Sequence, residues 1–193
     1  MSQQLEIEFK NMLTKEEFQQ ICDFFSIEQT DFHVQKNHYF DTPDGQLRAK
    51  RCGLRIRQLP TRNELTLKEP QQGIALVETT DFLCDDVVTT ILDGQSSILA
   101  VDVQQRLNAL QINTNDLQLL GTLSTTRAEI NYKDGLLVFD YSQYACQEDY
   151  ELEYEVQHEE TGKHIFENLL KEQQIPLRPA DKKLARFMKA INK

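Results

Sequence analysis

The stretch LEIEFK at residues 5–10, near the amino terminus, alternates apolar and charged residues. Side chains of a β-strand point alternately to its two faces, so the three apolar residues of this stretch are predicted to share one face. The other face then carries Glu6, Glu8 and Lys10 as an E-x-E-x-K pattern. The stretch therefore predicts an amino-terminal strand with one apolar and one charged face.

Seven further segments show strand-like alternation, and turn signals such as Asp134-Gly135 separate several of them. Together with residues 4–10, the predicted strands are 35–41, 54–59, 64–69, 74–83, 123–132, 136–142 and 150–157. Helices are predicted after the capping box of Thr14 and Glu17, over residues 100–112, after Thr161 and from near Ala180. Residues 85–98 are predicted as an irregular connection. These elements indicate one α+β domain over residues 1–193 with largely antiparallel strands.

Charge is sorted into blocks along the chain. Residues 48–68 contain seven basic residues and one acid, whereas residues 148–160 contain seven acids and no Lys or Arg. The formal net charge of −10 argues against a non-specific nucleic-acid-binding protein, since that affinity comes from neutralising phosphates. Widely spaced cysteines and the lack of a signal-like or membrane-spanning apolar run predict a cytoplasmic protein.

The alternation also sorts charged residues of later strands onto shared faces. Arg55 and Arg57 share one face, and Lys68 lies on the corresponding face of the next strand. Glu129 shares a face with Arg127, and one face of the last strand carries Glu151, Glu153 and Glu155. Three carboxylates in a row repel one another, so a compensating cation is expected. Carboxylates suit Mg²⁺ or Mn²⁺, and Arg or Lys suit phosphate oxygens, so the pattern predicts a site for metal and polyphosphate.

In this order the motifs resemble those of the CYTH superfamily, the triphosphate tunnel metalloenzymes, over nearly the full length. The E-x-E-x-K motif is followed by Tyr39-Phe40-Asp41-Thr42, Leu54-Arg55-Ile56-Arg57 and Thr66-Leu67-Lys68. The later matches are Glu78, Arg127, Asp140, Glu151-Leu152-Glu153 and Lys183-Leu184-Ala185-Arg186. The similarity is greatest to an uncharacterised bacterial branch related to class IV adenylate cyclases and thiamine triphosphatases.

The resemblance implies a closed eight-stranded antiparallel β-barrel with a charged interior and helices packed on the outside. It implies catalytic roles for Glu6, Glu8 and Lys10, and a divalent metal held by Glu6, Glu8, Asp140, Glu151, Glu153 and Glu155. In the last strand either Glu151 with Glu153 or Glu153 with Glu155 matches the family's pair. The implied substrate-binding residues are Lys10, Arg55, Arg57, Lys68, Glu78, Arg127, Lys183 and Arg186.

The expected activity is metal-dependent hydrolysis of the terminal phosphoanhydride of a triphosphate. The substrate is a small molecule, namely tripolyphosphate, a nucleoside triphosphate or thiamine triphosphate, and neither nucleic acid nor membrane is an expected partner. One alternative is a class IV adenylate cyclase, although such cyclases place a His-Phe pair before E-x-E-x-K and only MSQQL precedes the glutamate pair here. The other alternative is a non-catalytic module that binds polyphosphate or nucleotide.

Overall fold

The structure is a computed structural model that describes residues 3–98 and 100–191. These residues form eight strands and six helices, with two short 3₁₀ turns at Gln29–Asp31 and Thr114–Asp116. The strands are β1 (Gln3–Leu13), β2 (His33–Asp41), β3 (Gly53–Gln58), β4 (Asn63–Pro70), β5 (Leu76–Leu83), β6 (Gln118–Tyr132), β7 (Gly135–Tyr144) and β8 (Gln147–Val156). The helices are α1 (Lys15–Phe24), α2 (Gln46–Ala49), α3 (Asp85–Leu92), α4 (Val101–Ala109), α5 (Glu159–Glu172) and α6 (Lys183–Ile191).

The strands close into a barrel in the order β1-β5-β4-β3-β2-β6-β7-β8. The pairs β2–β3, β3–β4, β4–β5, β6–β7, β7–β8 and β1–β8 are antiparallel. The predicted α+β fold class and the eight predicted strands are confirmed. None of the described helices is both long and apolar enough to cross a membrane.

The described residues group into two compact units, each made of two chain segments. The first unit contains residues 3–5 and 35–122, and the second contains residues 6–34 and 123–191. The expectation of a single domain over residues 1–193 stays a prediction.

The apolar core of the first unit lies between the strand faces of β3 and β4 and the helices α3 and α4. Ile56 and Leu65 are opposite each other in register and fully buried, and they belong to one cluster with Val88 and Leu107. Helix α4 is fixed at its start by Asp81, whose carboxylate accepts a hydrogen bond from the backbone of the first helical turn (2.8 Å). The helices therefore cover the apolar faces, and Arg55, Arg57 and Lys68 lie on the opposite faces.

The second unit repeats this arrangement with aromatic side chains. Phe139 of β7 and Tyr154 of β8 are fully buried, and they pack in one cluster with Ile21 of α1 and Phe166 of α5. The rings of Tyr154 and Phe166 are stacked with centroids 6.2 Å apart. Burial of large rings provides much of the stabilisation of a small core, so α1 and α5 cover the apolar faces of β7 and β8.

The predicted capping box at the start of α1 is present. The backbone of Glu17 donates to Thr14 Oγ1 (3.2 Å), and the backbone of Thr14 donates to a Glu17 carboxylate oxygen (2.8 Å). Helix α4 confirms the helix predicted over 100–112. Helix α5 begins at Glu159, slightly earlier than predicted, and α6 begins at Lys183, slightly later.

The prediction that residues 85–98 are irregular was wrong, because α3 occupies Asp85–Leu92. Five of its eight residues, Val, Val, Thr, Thr and Ile, are β-branched at consecutive positions, which weakens the local preference for a helix. Val88 and Ile91 are three residues apart and buried against the first unit's core. Tertiary burial therefore outweighs propensity here. The four-residue helix α2 was also absent from the sequence prediction.

The predicted hairpin between β6 and β7 is present, but Gly135 has a different role from the one expected. Lys133 and Asp134 form the two-residue turn, with Lys133 at a φ of 50°, and Gly135 already pairs with Tyr132. A Cβ at position 135 would lie 2.5 Å from the backbone oxygen of Glu155. Glycine is therefore required by the close approach of β8.

Candidate active site

The basic face of the first unit is built from β3 and β4. Arg55 and Arg57 are two residues apart on β3, opposite the apolar face that packs against the helices. Arg57 lies opposite Asn37 of β2, and its Nε donates a hydrogen bond to Asn37 Oδ1 (3.1 Å). Such a bond fixes the direction of the guanidinium on this face.

A carboxylate of β5 also lies on this face of the first unit. Lys68 of β4 and Glu78 of β5 are directly opposite in register, and their side chains form an ion pair. Both side chains are 21% exposed, so the pair is partly sheltered from water. Glu78 therefore lies beside a basic group of this face, and the substrate-binding role implied for it stays a prediction.

The second unit contains two carboxylate clusters. In the first, oxygen atoms of Glu6, Glu8 and Glu155 lie within 4.8 Å of one another, and all three residues are half-buried. The alternation of β1 places both of its glutamates on one face, and Glu8 pairs with Glu155 across the β1–β8 ladder. Lys10 Nζ lies 2.7 Å from Glu8 Oε1. The two glutamates of the E-x-E-x-K pattern thus form a three-carboxylate cluster with Glu155, and the lysine of the pattern lies beside it.

The second cluster is buried and contains Asp140, Glu151 and Glu153, whose oxygens also lie within 4.8 Å of one another. Arg127 donates to both oxygens of Asp140, from Nε at 2.7 Å and from Nη2 at 2.6 Å. Lys183 Nζ contacts Asp140 and lies 3.2 Å from Glu151 and 3.3 Å from Glu153. This cluster is therefore compensated by basic side chains of the protein itself.

Arg186 continues the charge alternation along β8. Its Nη2 lies 2.7 Å from Glu151 Oε2, and its Nε lies 2.8 Å from Asp149 Oδ2. Asp149 also accepts a hydrogen bond from the hydroxyl of Tyr144. Burial, followed by this carboxylate, raises the pKa of Tyr144 to about 12. The sequence analysis missed Asp149, although the same alternation that selected Glu151 places it on the same face of β8.

The pKa values in the second unit show how these charges are maintained. Burial alone would lower the pKa of Lys183 and of Lys10, but neighbouring carboxylates, Glu153 among them for both, raise each pKa above its ordinary value. Burial would raise the pKa of Asp140, yet the adjacent Arg127 and Lys183 lower it overall. Both lysines are therefore charged at neutral pH, and Asp140 is ionised.

The structure divides the six predicted metal ligands into two sets. Glu155 joins Glu6 and Glu8, while Glu151 and Glu153 join Asp140. All three glutamates of β8 lie on one face, as predicted, and Glu153 also lies 3.5 Å from Lys10. Lys183, chosen over its neighbour Lys182 by the spacing to Arg186, contacts the buried set. The structure thus assembles the predicted residues within each unit, and the roles assigned to them stay predictions.

Known proteins resemble this chain over nearly its whole length. The profile of the CYTH domain matches residues 4–188. YjbK of Bacillus subtilis (strain 168), provisionally named a triphosphatase, is 43% identical over 187 residues, covering 97% of this chain and 96% of that protein. A crystal structure from Bacillus halodurans, provisionally named an adenylate cyclase, is 37% identical with a TM-score of 0.92, over 97% of this chain and 99% of that one.

A more distant structure has the same fold. HpAC1 from Hippeastrum, provisionally named an adenylyl cyclase and described as having a dominant triphosphatase activity, is 23% identical with a TM-score of 0.81. It covers 96% of this chain and 95% of its own. The domain match spans almost the whole sequence, and the strand order, the E-x-E-x-K face and the relatives are all consistent with it. This chain is a member of the CYTH domain family.

Proposed function

We propose that this protein is a metal-dependent triphosphatase that hydrolyses the terminal phosphoanhydride of a small-molecule triphosphate. The observation that carries the proposal is the E-x-E-x-K face, where Glu6 and Glu8 meet Glu155 and where Lys10 lies 2.7 Å from Glu8. Carboxylates that can bind a hard metal ion thus lie beside a lysine that can bind phosphate. The name of YjbK, which covers nearly the whole chain at 43% identity, supports the same activity.

The metal is proposed to bind at Glu6, Glu8 and Glu155 rather than at the buried cluster. These residues are half-buried, so a hydrated ion can reach them, whereas Asp140 is fully buried with both oxygens bonded to Arg127. Three oxygen donors fit Mg²⁺ or Mn²⁺, which usually keep several waters and use few protein carboxylates. When bound, such an ion polarises phosphate oxygens and lowers the pKa of water.

The protein's own residues then bind and orient the reactants. A carboxylate oxygen of Glu6 or Glu8 accepts a hydrogen bond from the attacking water and aligns it. Lys10 stabilises charge on the transferred phosphoryl group, because a buried cation that is always protonated acts strongly in a sheltered site. Further phosphate-binding roles are proposed for Arg55, Arg57 and Lys68 in the first unit, with Glu78 orienting Lys68, and for Arg127, Lys183 and Arg186 in the second.

Adenylate cyclase activity is the second candidate, and the name of the Bacillus halodurans relative at 37% identity favours keeping it. Cyclisation needs the ribose held so that its 3′ oxygen reaches the α-phosphorus, whereas hydrolysis needs only water aligned on the terminal phosphorus. We also propose that nucleic acid is not a partner of this protein and that the protein lies in the cytoplasm. Across the described residues, which include all four cysteines, none is in a disulfide.

A phosphate-release panel tests the proposal. Tripolyphosphate, ATP, GTP and thiamine triphosphate are each incubated with Mg²⁺, Mn²⁺ or EDTA. We expect release of orthophosphate from at least one of them with either metal, and none with EDTA. Equal rates in EDTA would contradict metal dependence, and no release from any triphosphate would contradict the proposed activity.

A further inference from the structure

Gln35 is a buried polar residue of β2 that has no role in the proposed catalytic mechanism. Its side chain is 2% exposed. Among the residues that the structure describes, its amide oxygen Oε1 has no hydrogen-bond partner. Buried polar atoms in folded proteins are nearly always hydrogen-bonded, because an unpaired one loses its bonds to water without replacement. A donor from outside the chain would remove that cost.

The position of Gln35 relates it to the basic face of the first unit. Side chains alternate along β2, so Gln35 shares a face with Asn37, and the intervening Lys36 is exposed on the other face. Asn37 Oδ1 accepts a hydrogen bond from Arg57 Nε (3.1 Å) and is therefore occupied. Gln35 lies two residues further along, a distance of about 7 Å on a strand. Gln35 therefore lies on the same face of β2 as the hydrogen-bond partner of Arg57.

We infer that Gln35 is a specificity-determining residue that accepts a hydrogen bond from the organic group of a nucleoside triphosphate. The inference rests on the proposed function, in which Arg57 binds phosphate. Ribose hydroxyls and base amino groups donate hydrogen bonds, whereas the ionised oxygens of inorganic tripolyphosphate only accept them. A site with a buried acceptor discriminates strongly against an analogue that lacks the matching donor, since the acceptor is then left unpaired. Gln35 therefore favours nucleoside triphosphates over tripolyphosphate.

The test compares two ligands that resist hydrolysis. Dissociation constants for β,γ-methylene-ATP and for tripolyphosphate with methylene groups in place of both bridging oxygens, neither of which has a donor in its phosphate chain, are measured by calorimetry with Mg²⁺ on the wild type, on Gln35→Met and on the control Gln118→Met. Methionine keeps the length of the side chain but removes the amide acceptor, and Gln118 is exposed at the start of β6. Thermal melting of each variant without ligand verifies that it is folded.

We expect Gln35→Met to weaken β,γ-methylene-ATP binding at least 5-fold while changing binding of the methylene-bridged tripolyphosphate less than 2-fold, with no loss of thermal stability. Gln118→Met should change neither. Equal weakening of both ligands would overturn the inference, and so would an unchanged preference, which would indicate that a buried water satisfies Gln35. The comparison is made from binding alone. Wild-type binding without phosphate release would therefore count against the proposed function and not against the role of Gln35.

Discussion

Arg127 and Asp140 face each other across the β6–β7 ladder and are joined by two hydrogen bonds of 2.7 and 2.6 Å. Asp140 is fully buried and Arg127 is 6% exposed, so neither charge is solvated by bulk water. Burying an ion pair brings little net stability, but removing one partner leaves the other charge buried and uncompensated. The pair therefore makes the second unit sensitive to loss of either residue.

Arg127→Met is predicted to lower the free energy of unfolding by about 3 to 5 kcal/mol, because it leaves the Asp140 carboxylate with Lys183 as its remaining basic partner. Urea unfolding followed by circular dichroism measures the change. The matched control is Arg62→Met, which removes an ion pair to Glu64 from a side chain that is 55% exposed. Exposed pairs contribute roughly 0 to 1 kcal/mol. Similar losses in the two variants would refute the account of the buried pair.

The β7–β8 turn predicts a stabilising substitution. Ala145 and Cys146 both have left-handed backbone conformations, with φ of 44° and 60°, between the paired residues Tyr144 and Gln147. Such two-residue turns favour Asn followed by Gly, because these residues adopt positive φ with little strain. The double substitution Ala145→Asn with Cys146→Gly should raise the free energy of unfolding by about 1 kcal/mol or more. A lower urea midpoint would contradict this reading of the turn.

His38 should make stability depend on pH in the mildly acidic range. Burial lowers its pKa below the ordinary 6.5, although a hydrogen bond to Gln58 acts in the opposite direction. The unfolded chain therefore binds a proton at His38 before the folded chain does as the pH falls. The contribution of neutral His38 to the free energy of unfolding is fully present above pH 6.5. It is lost as the pH falls towards the lowered pKa of His38 in the folded chain.

His38→Gln removes the titrating group from this site. Between pH 7.5 and pH 5.5 the wild type should lose more unfolding free energy than the variant, by up to about 1.4 kcal/mol for each unit of pKa difference. His164→Gln is the control, since His164 is exposed on α5. Parallel pH profiles for the wild type and His38→Gln would show that His38 does not contribute.

Glu8→Gln tests the proposed metal site. The substitution keeps the shape of the side chain but removes one anionic ligand from a set of three, so Mg²⁺ should bind more weakly. A ligand that binds the folded state raises its stability by RT ln(1 + [L]/Kd). The shift in melting temperature on adding Mg²⁺ should therefore be much smaller in Glu8→Gln and in Glu155→Gln than in the wild type. Glu167→Gln, which alters a glutamate of α5 whose side chain is 40% exposed, should keep the full shift.

A substitution in the buried cluster shows which of the two carboxylate clusters binds the metal. Glu151→Gln removes a partner of Lys183 and Arg186, so it should lower stability with and without Mg²⁺ while leaving the metal-induced shift in place. A full shift in Glu8→Gln combined with a lost shift in Glu151→Gln would place the metal at the buried cluster instead.

Much of the fold followed from sequence because strand alternation is a local property. The period of two on β1 and β8 predicted which glutamates share a face, and the barrel bears this out at Glu8 and Glu155. The two carboxylate clusters could not be separated in this way. Their division depends on the register between β1 and β8 and on the reach of Lys183 from α6, which are long-range relationships. Helix α3 was missed because its burial, and not its composition, makes it a helix.

The identity of the products formed from ATP distinguishes hydrolysis from cyclisation. The wild-type protein is incubated with ATP and Mn²⁺, and the products are separated by anion-exchange chromatography. Hydrolysis at the terminal phosphorus gives ADP and orthophosphate, which is the result that the account predicts. Tripolyphosphate, which has no ribose, should also be cleaved to pyrophosphate and orthophosphate. Cyclic AMP and pyrophosphate as the main products of ATP, with tripolyphosphate left intact, would contradict it.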